Sequence, residues 1–324
     1  MMSPHLLAVL RQLSHEDFLS GEAIARRLSC SRTTVNNAIR EALAEGVAVH
    51  AVHGRGYRLA TPLSWLDAER LANAFSSRGM SLRCLDQVDS TNAHLMDWAQ
   101  AGAPHRSVVA AEWQSRGRGR RGRTWHAGLG QGLMFSFLWR SGRSAAQLSG
   151  LSLAVGAMLV MALRDLGLKV GGVKWPNDIL VGEAKLAGVL IELSGDMLGP
   201  SAAVIGVGLN IDGGEAMSQR VGQAVTDLRR HLGPVARTDI FLALAFALDE
   251  GLAEFEAGGF PAFHAFWQAH HVHQDRSVMV ISGQGDSLAG IARGVDPEGA
   301  LLLETSTGVR RIHSGEVSVR GVSP

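Results

Sequence analysis

The first sixty residues carry apolar positions at helical spacing and then at alternating spacing. Apolar residues three and four apart predict three short helices, the third from Arg32 to Glu45. Residues Val47 to Leu59 alternate around a glycine-containing turn, which predicts two antiparallel strands. The inward face that we predict for the third helix holds Val35, Ala38, Ile39, Ala42 and Leu43. Three helices and a hairpin in this order are typical of a winged helix-turn-helix.

The rest of the chain shows two further patterns, which divide at residue 276. Helices and strands mix before it, and short alternating strands separated by tight turns follow it. In the mixed region we predict strands at Ser107–Trp113, Leu133–Trp139, Lys185–Leu193 and Ala202–Ile211. We predict helices there at Thr91–Ala101, Ala145–Leu166, Asp239–Glu256 and Pro261–His271. With Pro62 as the first hinge, the sequence predicts an α+β multidomain protein divided at residues 1–62, 63–275 and 276–324.

Composition adds constraints on location and partners. A chain of 324 residues is long enough for two or three domains, each with its own core. A net charge of +1 means that nucleic-acid binding must come from local basic patches. The two cysteines lie far apart and the N-terminus lacks the pattern of a secretory signal, so we expect a cytoplasmic protein. The apolar stretch from Leu148 to Leu163 is shorter than the roughly 18 residues of a membrane span, so we interpret it as a buried helix and expect no membrane partner.

A glycine- and arginine-rich loop, Gly117 to Arg123, follows a predicted strand. Its spacing matches the G-x-G-x-x-G of dinucleotide sites, but no amphipathic helix follows it and no acidic residue lies between Glu112 and Asp165. We therefore reject a dinucleotide site. Backbone amides and guanidinium groups both bind phosphate oxygens, so the loop predicts a phosphate site. A solvated basic loop or an RNA-binding segment is the alternative.

A second polar segment, Lys174 to Asp178, precedes an apolar run that begins at Lys185. We expect a lysine at the first position of a buried strand to project into a site. Asn177 and Asp178 supply oxygens suited to Mg²⁺ or to an ammonium group. Taken alone, the segment is also compatible with a hairpin that bears an exposed lysine.

Five motifs occur in a fixed order along the chain. They are Ser90-Thr91-Asn92, Gly117–Arg123, Lys174–Asp178, Lys185–Gly188 and Val204–Asn210. This succession resembles the bifunctional biotin–protein ligases that double as biotin operon repressors, and the resemblance covers nearly the whole chain. It implies an N-terminal winged helix-turn-helix, a central α/β ligase domain of the class II synthetase and biotin–lipoate ligase type, and a small C-terminal SH3-like β-barrel.

The resemblance also implies a role for each motif. Biotin binding is assigned to Ser90, Thr91, Asn92, Gln114, Arg118, Gly119, Arg120 and Lys185. Nucleotide binding is assigned to Arg118, Arg121, Trp125, Asn177, Lys185 and Asn210. Catalysis is assigned to Arg120 and Lys185, which offset the repulsion between carboxylate and phosphate, and to Asp178 as a candidate base for the acceptor amine. We expect no fixed metal site in the protein.

The implied reaction has two steps. Biotin attacks Mg-ATP to give biotinyl-5′-AMP, and a lysine of the biotin carboxyl carrier protein of acetyl-CoA carboxylase then displaces AMP. A lipoate–protein ligase on the same fold is the alternative enzyme, although the arginine-rich loop and the Lys-Trp-Pro-Asn-Asp motif resemble the biotin branch. A biotin-sensing transcription factor with a vestigial ligase is the other alternative, although Arg120 and Lys185 are intact.

The chain departs from the family pattern in one segment. Ile211 to Ile240, where the family closes a loop over the nucleotide, contains no aromatic residue. We therefore name Trp125 as the candidate for stacking on adenine.

The predicted third helix has a polar face that is suited to DNA. Arg32, Thr33, Thr34, Asn36, Asn37 and Arg40 are predicted to point outward, and Arg55 lies at the hairpin tip. Because no acidic residue occurs from Ala23 to Arg40, we predict contacts to base edges and phosphates. A winged domain used only for protein contacts is the alternative. The resemblance implies a homodimer that binds operator DNA, with biotinyl-5′-AMP as the corepressor.

Three histidines, His270, His271 and His273, lie at the end of a predicted helix. The helix dipole favours protonated histidines there. A metal site is the alternative.

Overall fold

The computed structural model describes residues 3–195, 200–282, 286–314 and 317–321. The helices are α1 (His5–Leu10), α2 (Gly21–Arg27), α3 (Arg32–Ala44), α4 (Ala68–Ser77), α5 (Thr91–Gln100), α6 (Leu151–Asp165), α7 (Gly214–Val221), α8 (Leu228–Leu232), α9 (Arg237–Gly258) and α10 (Pro261–Ala269). The strands are β1 (Val49–Val52), β2 (Gly56–Leu59), β3 (Ser81–Val88), β4 (Ser107–Gln114), β5 (Gly132–Ser141), β6 (Gly172–Lys174), β7 (Asp178–Val181), β8 (Ala184–Gly195), β9 (Ser201–Asn210), β10 (Ser277–Ser282), β11 (Ser287–Val295), β12 (Leu301–Thr305), β13 (Gly308–Ile312) and β14 (Val317–Gly321).

The N-terminal helices and hairpin form the predicted winged helix-turn-helix around a core of their own. Ser20 and Ser31 begin α2 and α3, because each side-chain oxygen accepts a hydrogen bond from the backbone N–H three residues later. The buried stripe of α3 consists of Val35, Ala38, Ile39 and Ala42. Leu43 lies at the edge of this narrow stripe and is 48% exposed, so the prediction that it faces inward is wrong.

The centre of the protein is a sheet that, within the described ranges, has seven strands in the order β3-β4-β5-β9-β8-β7-β6. β3 and β4 are parallel, and the other neighbours are antiparallel. Val109 and Leu138 pack with α5, whereas their chain neighbours Val108 and Phe137 pack with α6 and α9. Because successive side chains of a strand point to opposite faces, this sheet is covered on both sides.

The apolar stretch that we interpreted as a buried helix forms α6 and packs against α9. Ala145–Asp165 is long and apolar enough to cross a membrane by length and composition, but 67% of its most apolar window is buried inside the protein. The prediction of a buried helix for this stretch is therefore confirmed.

The C-terminal part is an antiparallel sheet whose described strands follow the order β13-β12-β11-β10-β14. Val278, Leu301 and Val319 belong to the same hydrophobic cluster as the central sheet and α6. The buried Trp175 indole, from the turn between β6 and β7, donates a hydrogen bond to the Gly299 carbonyl at 3.0 Å. These contacts hold the C-terminal sheet beside the second polar motif, and the α+β architecture that we predicted is confirmed.

The first domain contacts the central sheet near the start of the glycine–arginine loop. Leu129 and Trp113 pack into the core of the winged domain. Arg11, the residue after α1, pairs with Asp86 of β3 at 2.7 Å and lies over the Trp65 ring. The winged domain therefore rests on the two strands that carry Ser90 and Gln114 at their ends.

Candidate active site

A cleft of about 840 Å³ opens on β8 and β9. Its walls come from the start of α5, the glycine–arginine loop, the turn between β6 and β7, and residues 217–225. The cleft is lined by every residue that we assigned to biotin, nucleotide or catalysis: Ser90, Thr91, Asn92, Gln114, Arg118, Gly119, Arg120, Arg121, Trp125, Asn177, Asp178, Lys185 and Asn210. The fold brings five distant motifs into one space, and the roles of the individual residues stay predictions.

One end of the cleft, which we name the neutral end, is lined by Ser90, Thr91, Asn92 and Gln114, and it includes the fully buried Ser136, which contacts Thr91 and Asn92. The Ser90 hydroxyl begins α5 by accepting a hydrogen bond from the first turn. Thr91 donates to Gln114 Oε1 from its backbone N–H at 2.7 Å and from its hydroxyl at 3.1 Å. Ser136 donates from Oγ to Asn92 Oδ1 at 2.6 Å. These uncharged groups are mostly buried and already orient one another before any ligand is present.

Two glycines of β9 shape the floor of the cleft. A Cβ at Gly206 would overlap the Asn92 amide, and one at Gly208 would overlap the Trp125 indole. Side chains thus pack directly on the strand backbone, which requires glycine at both positions. Trp125 Nε1 is buried and has no hydrogen-bond partner in the part of the chain that the structure describes.

The glycine–arginine loop is closed by its own backbone. Gly119 N–H donates to Arg123 O and Trp125 N–H donates to Gly117 O, both at 2.8 Å. Arg121 adopts the left-handed conformation, with φ +59°, in a single turn of 3-10 helix. A β-strand follows the loop rather than a helix, as expected if the loop is not a dinucleotide site. The loop presents its arginines in different directions.

Arg118 and Arg120 use opposite sides of this loop. The Arg118 guanidinium pairs with Glu192 of β8 at 2.8 Å. Arg120 donates to Asn177 Oδ1 at 3.3 Å and to the Ser314 carbonyl of the C-terminal part. The Arg120 guanidinium therefore links the loop to the β6–β7 turn and to the last domain.

The other end of the cleft, the cationic end, consists of Arg120, Arg123, Lys174 and Lys185 around Asp178. The Lys185 ammonium pairs with Asp178 Oδ1 at 2.7 Å. Lys174 is half-buried, lies opposite Asp178 in the β6–β7 register, and forms no ion pair with any described residue. Burial lowers the pKa of the Arg120 guanidinium and of the Lys174 ammonium, whereas the charge of Asp178 opposes both shifts. Positive charge therefore exceeds negative charge here.

The segment without aromatic residues lies against the cationic end. Lys185 N–H donates to Ala224 O at 2.9 Å, and Thr226 N–H donates to Lys185 O at 3.0 Å. Met217 and Arg220 of α7 line the same wall. The backbone of this segment thus fixes the start of β8, while Met217 and Arg220 bring a thioether and a guanidinium, and no aromatic ring, to this wall of the cleft.

Comparisons with known proteins agree with this arrangement along the whole chain. Residues 84–210 match the biotin/lipoate A/B protein ligase family, residues 5–58 match a helix-turn-helix domain, and residues 273–320 match the biotin protein ligase C-terminal domain. The bifunctional ligase/repressor BirA of Salmonella typhimurium is 35% identical over 97% of this chain and 97% of its own length. The chain belongs to the bifunctional ligase/repressor family. It is a biotin protein ligase with an N-terminal helix-turn-helix domain.

Two further relatives cover the catalytic part of this ligase. The biotin–[acetyl-CoA-carboxylase] ligase of Paracoccus denitrificans is 33% identical over 73% of the chain and 100% of its own length. A solved biotin protein ligase from Aquifex aeolicus, in complex with biotin and ATP, has a TM-score of 0.65 and 28% identity over 75% of this chain and 99% of that one. The predicted family and fold class are confirmed.

Several residues that line the cleft of the ligase, or that contact its lining, were not identified from the sequence. Ser136 and Glu192 lie in the middle of apolar strands, where a polar residue is itself a signal that we did not use. Lys174 was quoted in a motif without a role, and His273 was considered only as a helix-end histidine. Their contribution depends on strand register, which local patterns do not specify.

The residues that we predicted to contact DNA are mostly exposed on the winged domain of the ligase/repressor. Arg32, Thr33, Asn36, Asn37 and Arg40 are exposed on α3, and Arg55 is exposed at the tip with its guanidinium 4.5 Å from the Phe18 ring centroid. Thr34 differs, because it is half-buried and its hydroxyl lies 2.9 Å from Ser31 Oγ. Its predicted outward orientation is therefore only partly correct.

The helix-end histidines are not arranged as predicted. His271 and His273 are buried, and burial lowers the pKa of each to about 4, so neither carries a proton at neutral pH. His271 instead stacks on Trp267, with centroids 4.5 Å apart. Desolvation outweighs the helix dipole here. In the described ranges, no group of three His, Cys, Asp or Glu side chains is placed to hold a metal ion.

Proposed function

We propose that this protein joins biotin to ATP as biotinyl-5′-AMP and transfers the biotinyl group to a carrier lysine of acetyl-CoA carboxylase. The observation that supports it is the two-ended cleft, in which a hydrogen-bonding end and an excess of positive charge meet at Lys185. The neutral end suits a ureido group, whose N–H and C=O groups need partners when buried. The cationic end suits a triphosphate.

In the first step, the biotin carboxylate attacks the α-phosphorus of ATP. A bond forms between the α-phosphorus and an oxygen of the biotin carboxylate. The bond between the α-phosphorus and the oxygen that bridges it to the β-phosphorus breaks, and pyrophosphate leaves. Lys185 and Arg120 reduce the repulsion between the two anions, because positive groups placed where charge grows stabilise a transition state. Mg²⁺ enters with ATP, since the two described carboxylates that line the cleft, Asp178 and Glu183, already pair with Lys185 and Arg276.

In the second step, the carrier lysine attacks the acyl carbon of biotinyl-5′-AMP. A C–N bond forms, the acyl C–O bond breaks, and AMP leaves. The amine has a reference pKa of about 10.4 and must lose its proton. Asp178 is the proposed acceptor of that proton, because its carboxylate lines the cleft and contacts Lys185.

Biotin is favoured over lipoate by the polarity of the neutral end. A dithiolane ring lacks groups that match the Asn92, Thr91 and Gln114 side chains, and an unmatched buried polar group costs about 1–3 kcal/mol. The test is to incubate the full chain with ATP, a biotin carrier domain and either biotin or lipoate, and to weigh the carrier. A mass increase with biotin is expected. An increase with lipoate alone would replace the proposal by a lipoate ligase, and no increase with either would support a vestigial ligase.

We propose further that the protein is a cytoplasmic homodimer whose winged domains bind operator DNA when biotinyl-5′-AMP is bound as corepressor. The exposed basic and amide face of α3 supports DNA binding. One such domain makes few phosphate contacts, so two held together are needed for tight binding at physiological salt. Sedimentation and operator titration with and without biotin plus ATP test this. Identical oligomeric state and DNA affinity in both conditions would favour a winged domain used only for protein contacts.

The proposed domain limits are residues 1–62, 63–275 and 276–324. The separate core of the winged part supports the first limit. The change from α10 to the all-β sheet supports the second.

A further inference from the structure

Glu192 contacts two walls of the cleft with one carboxylate. It lies on β8, and its side chain is 23% exposed. Its Oε2 accepts a hydrogen bond from Asn92 Nδ2 at 2.9 Å, and its Oε1 pairs with Arg118 Nη2 at 2.8 Å. Asn92 belongs to the neutral end, whereas Arg118 belongs to the glycine–arginine loop. A single side chain thus joins the two parts of the cleft assigned to biotin.

The first contact fixes the orientation of the Asn92 amide. An ionised carboxylate only accepts hydrogen bonds, so it selects the NH₂ side of the amide. The Leu190 carbonyl accepts from the same Nδ2 at 3.2 Å, which leaves Asn92 Oδ1 to accept from Ser136 at 2.6 Å. Glu192 therefore determines which side of the Asn92 amide donates and which side accepts at the neutral end.

The orientation of the Gln114 amide is fixed independently, by backbone. Because the Thr91 backbone N–H donates to Gln114 Oε1 at 2.7 Å, the amide of Gln114 keeps its two N–H donors for other partners. A ligand carbonyl that enters the neutral end would meet these donors in a fixed orientation.

The second contact holds the loop beside the neutral end. Arg118 is half-exposed, and a side chain of this length would otherwise sample many rotamers. With Arg118 held by Glu192, the loop backbone at Gly119 is placed before the ligand arrives. Preorganisation of this kind lowers the entropy cost of binding.

We propose that Glu192 is a positioning residue for biotin, which sets the hydrogen-bond direction of the neutral end and holds the glycine–arginine loop over it. This inference rests on the proposed ligase function and deepens it. It predicts an effect on biotin and on retention of the adenylate, and none on the binding of ATP at the other end of the cleft.

The test compares Glu192→Gln and Arg118→Gln with Glu250→Gln in the full chain. Glu250 forms an exposed ion pair with Arg78 at 2.8 Å, so its substitution removes the same chemistry outside the cleft. In Glu192→Gln we expect the KM for biotin to rise about tenfold, the typical effect of one charge-assisted hydrogen bond. The KM for ATP and kcat should stay within about twofold to threefold of wild type, and biotinyl-5′-AMP should dissociate about tenfold faster.

A double-mutant cycle separates positioning from general damage. If Glu192 acts partly through Arg118, the double variant should raise the KM for biotin by less than the product of the two single effects. Kinetics of Glu192→Gln that match those of Glu250→Gln, a fall in kcat with unchanged KM for biotin, or strictly multiplicative effects would overturn the inference. If Glu192→Gln fails to fold, Glu192→Asp decides, since it keeps the negative charge but withdraws the carboxylate from both Asn92 and Arg118, and it should raise the KM for biotin in the same way. Wild-type protein that adenylates no biotin would overturn the proposed function itself, whereas active wild type with unaffected variants would overturn only this inference.

Discussion

The two ends of the cleft differ in the kind of ligand group that each can bind. At the neutral end, Asn92, Thr91 and Ser136 satisfy one another, so little reorganisation is needed when a polar ligand enters. At the cationic end, Lys174 and Arg120 are partly desolvated, and positive charge exceeds negative charge. A neutral ligand is recognised by hydrogen bonds that the protein has already oriented. A polyanion is recognised by charges whose mutual repulsion the ligand relieves.

The largest expected effect comes from the cationic end. Lys185→Ala or Arg120→Ala should slow pyrophosphate release by about 100- to 1,000-fold, because each removes a preorganised positive group from the attacked phosphate. Biotin-dependent pyrophosphate release is the measurement. Arg164→Ala, an exposed arginine at the end of α6, is the control. Near-normal release by both variants would contradict the assignment of the cationic end to the triphosphate.

A smaller effect is expected from a substitution that disturbs the neutral end alone. In Gly206→Ala the new Cβ would overlap the Asn92 amide, and overpacking of this kind costs about 1–3 kcal/mol, or about 5- to 150-fold in biotin affinity. Binding of biotin without ATP, measured by calorimetry, checks this. Gly156→Ala is a matched control, because its Cβ would make only an ordinary contact with Val173 at 3.4 Å. An equal loss of ATP affinity would mean that the two ends are not independent.

A substitution of Lys174 tests whether the excess positive charge of the cationic end contributes to ATP binding. Lys174→Met should raise the KM for ATP by about tenfold, the size of one charge-assisted contact to phosphate, and leave biotin affinity unchanged. Lys169→Met removes an exposed lysine nearby and serves as the comparison. The prediction fails if the KM for biotin changes instead.

The last prediction concerns the pH dependence of stability rather than a rate or an affinity. His271 and His273 have folded pKa values of about 4, below the ordinary 6.5, because both are buried. The charged groups that act on His273 are Lys174 and Arg276, which oppose protonation, and Glu183, which favours it, whereas His273 opposes and Gln274 favours protonation of His271. Between pH 6.5 and 4 the unfolded chain binds more protons, so each histidine should reduce stability by about 1.4 kcal/mol per pH unit as pH falls.

Urea unfolding at pH 7 and pH 5 measures this dependence. His273→Gln should remove one proton from the slope, whereas His50→Gln, on the exposed strand β1, should leave it unchanged. An unaltered slope in His273→Gln would mean that this histidine titrates normally in the folded protein.

Local patterns predicted most of the elements because their physical causes are local. The stripe on α3, the apolar α6 and the glycine-rich loop depend on residues within one or two turns of chain. The errors arose where burial depends on distant contacts. Leu43 is exposed because none of the described elements covers the edge of its stripe, and His271 is neutral because Trp267 and its surroundings desolvate it. The strand β3 and the short strands β6 and β7 were not predicted, since their pairing is decided by the sheet.

The sequence by itself determined which chemical groups are available: five motifs with amides, arginines and a lysine at a strand start, and a basic helix face. Only the tertiary structure decided which of these groups are satisfied and which are left for a ligand. In the folded protein, Glu192 contacts both Asn92 and Arg118. Asp178 forms its ion pair with Lys185, and Lys174 lies beside that pair. The physical reason is that hydrogen-bond direction and charge balance depend on partners from separate strands and loops, and these meet only when the sheet has formed its register.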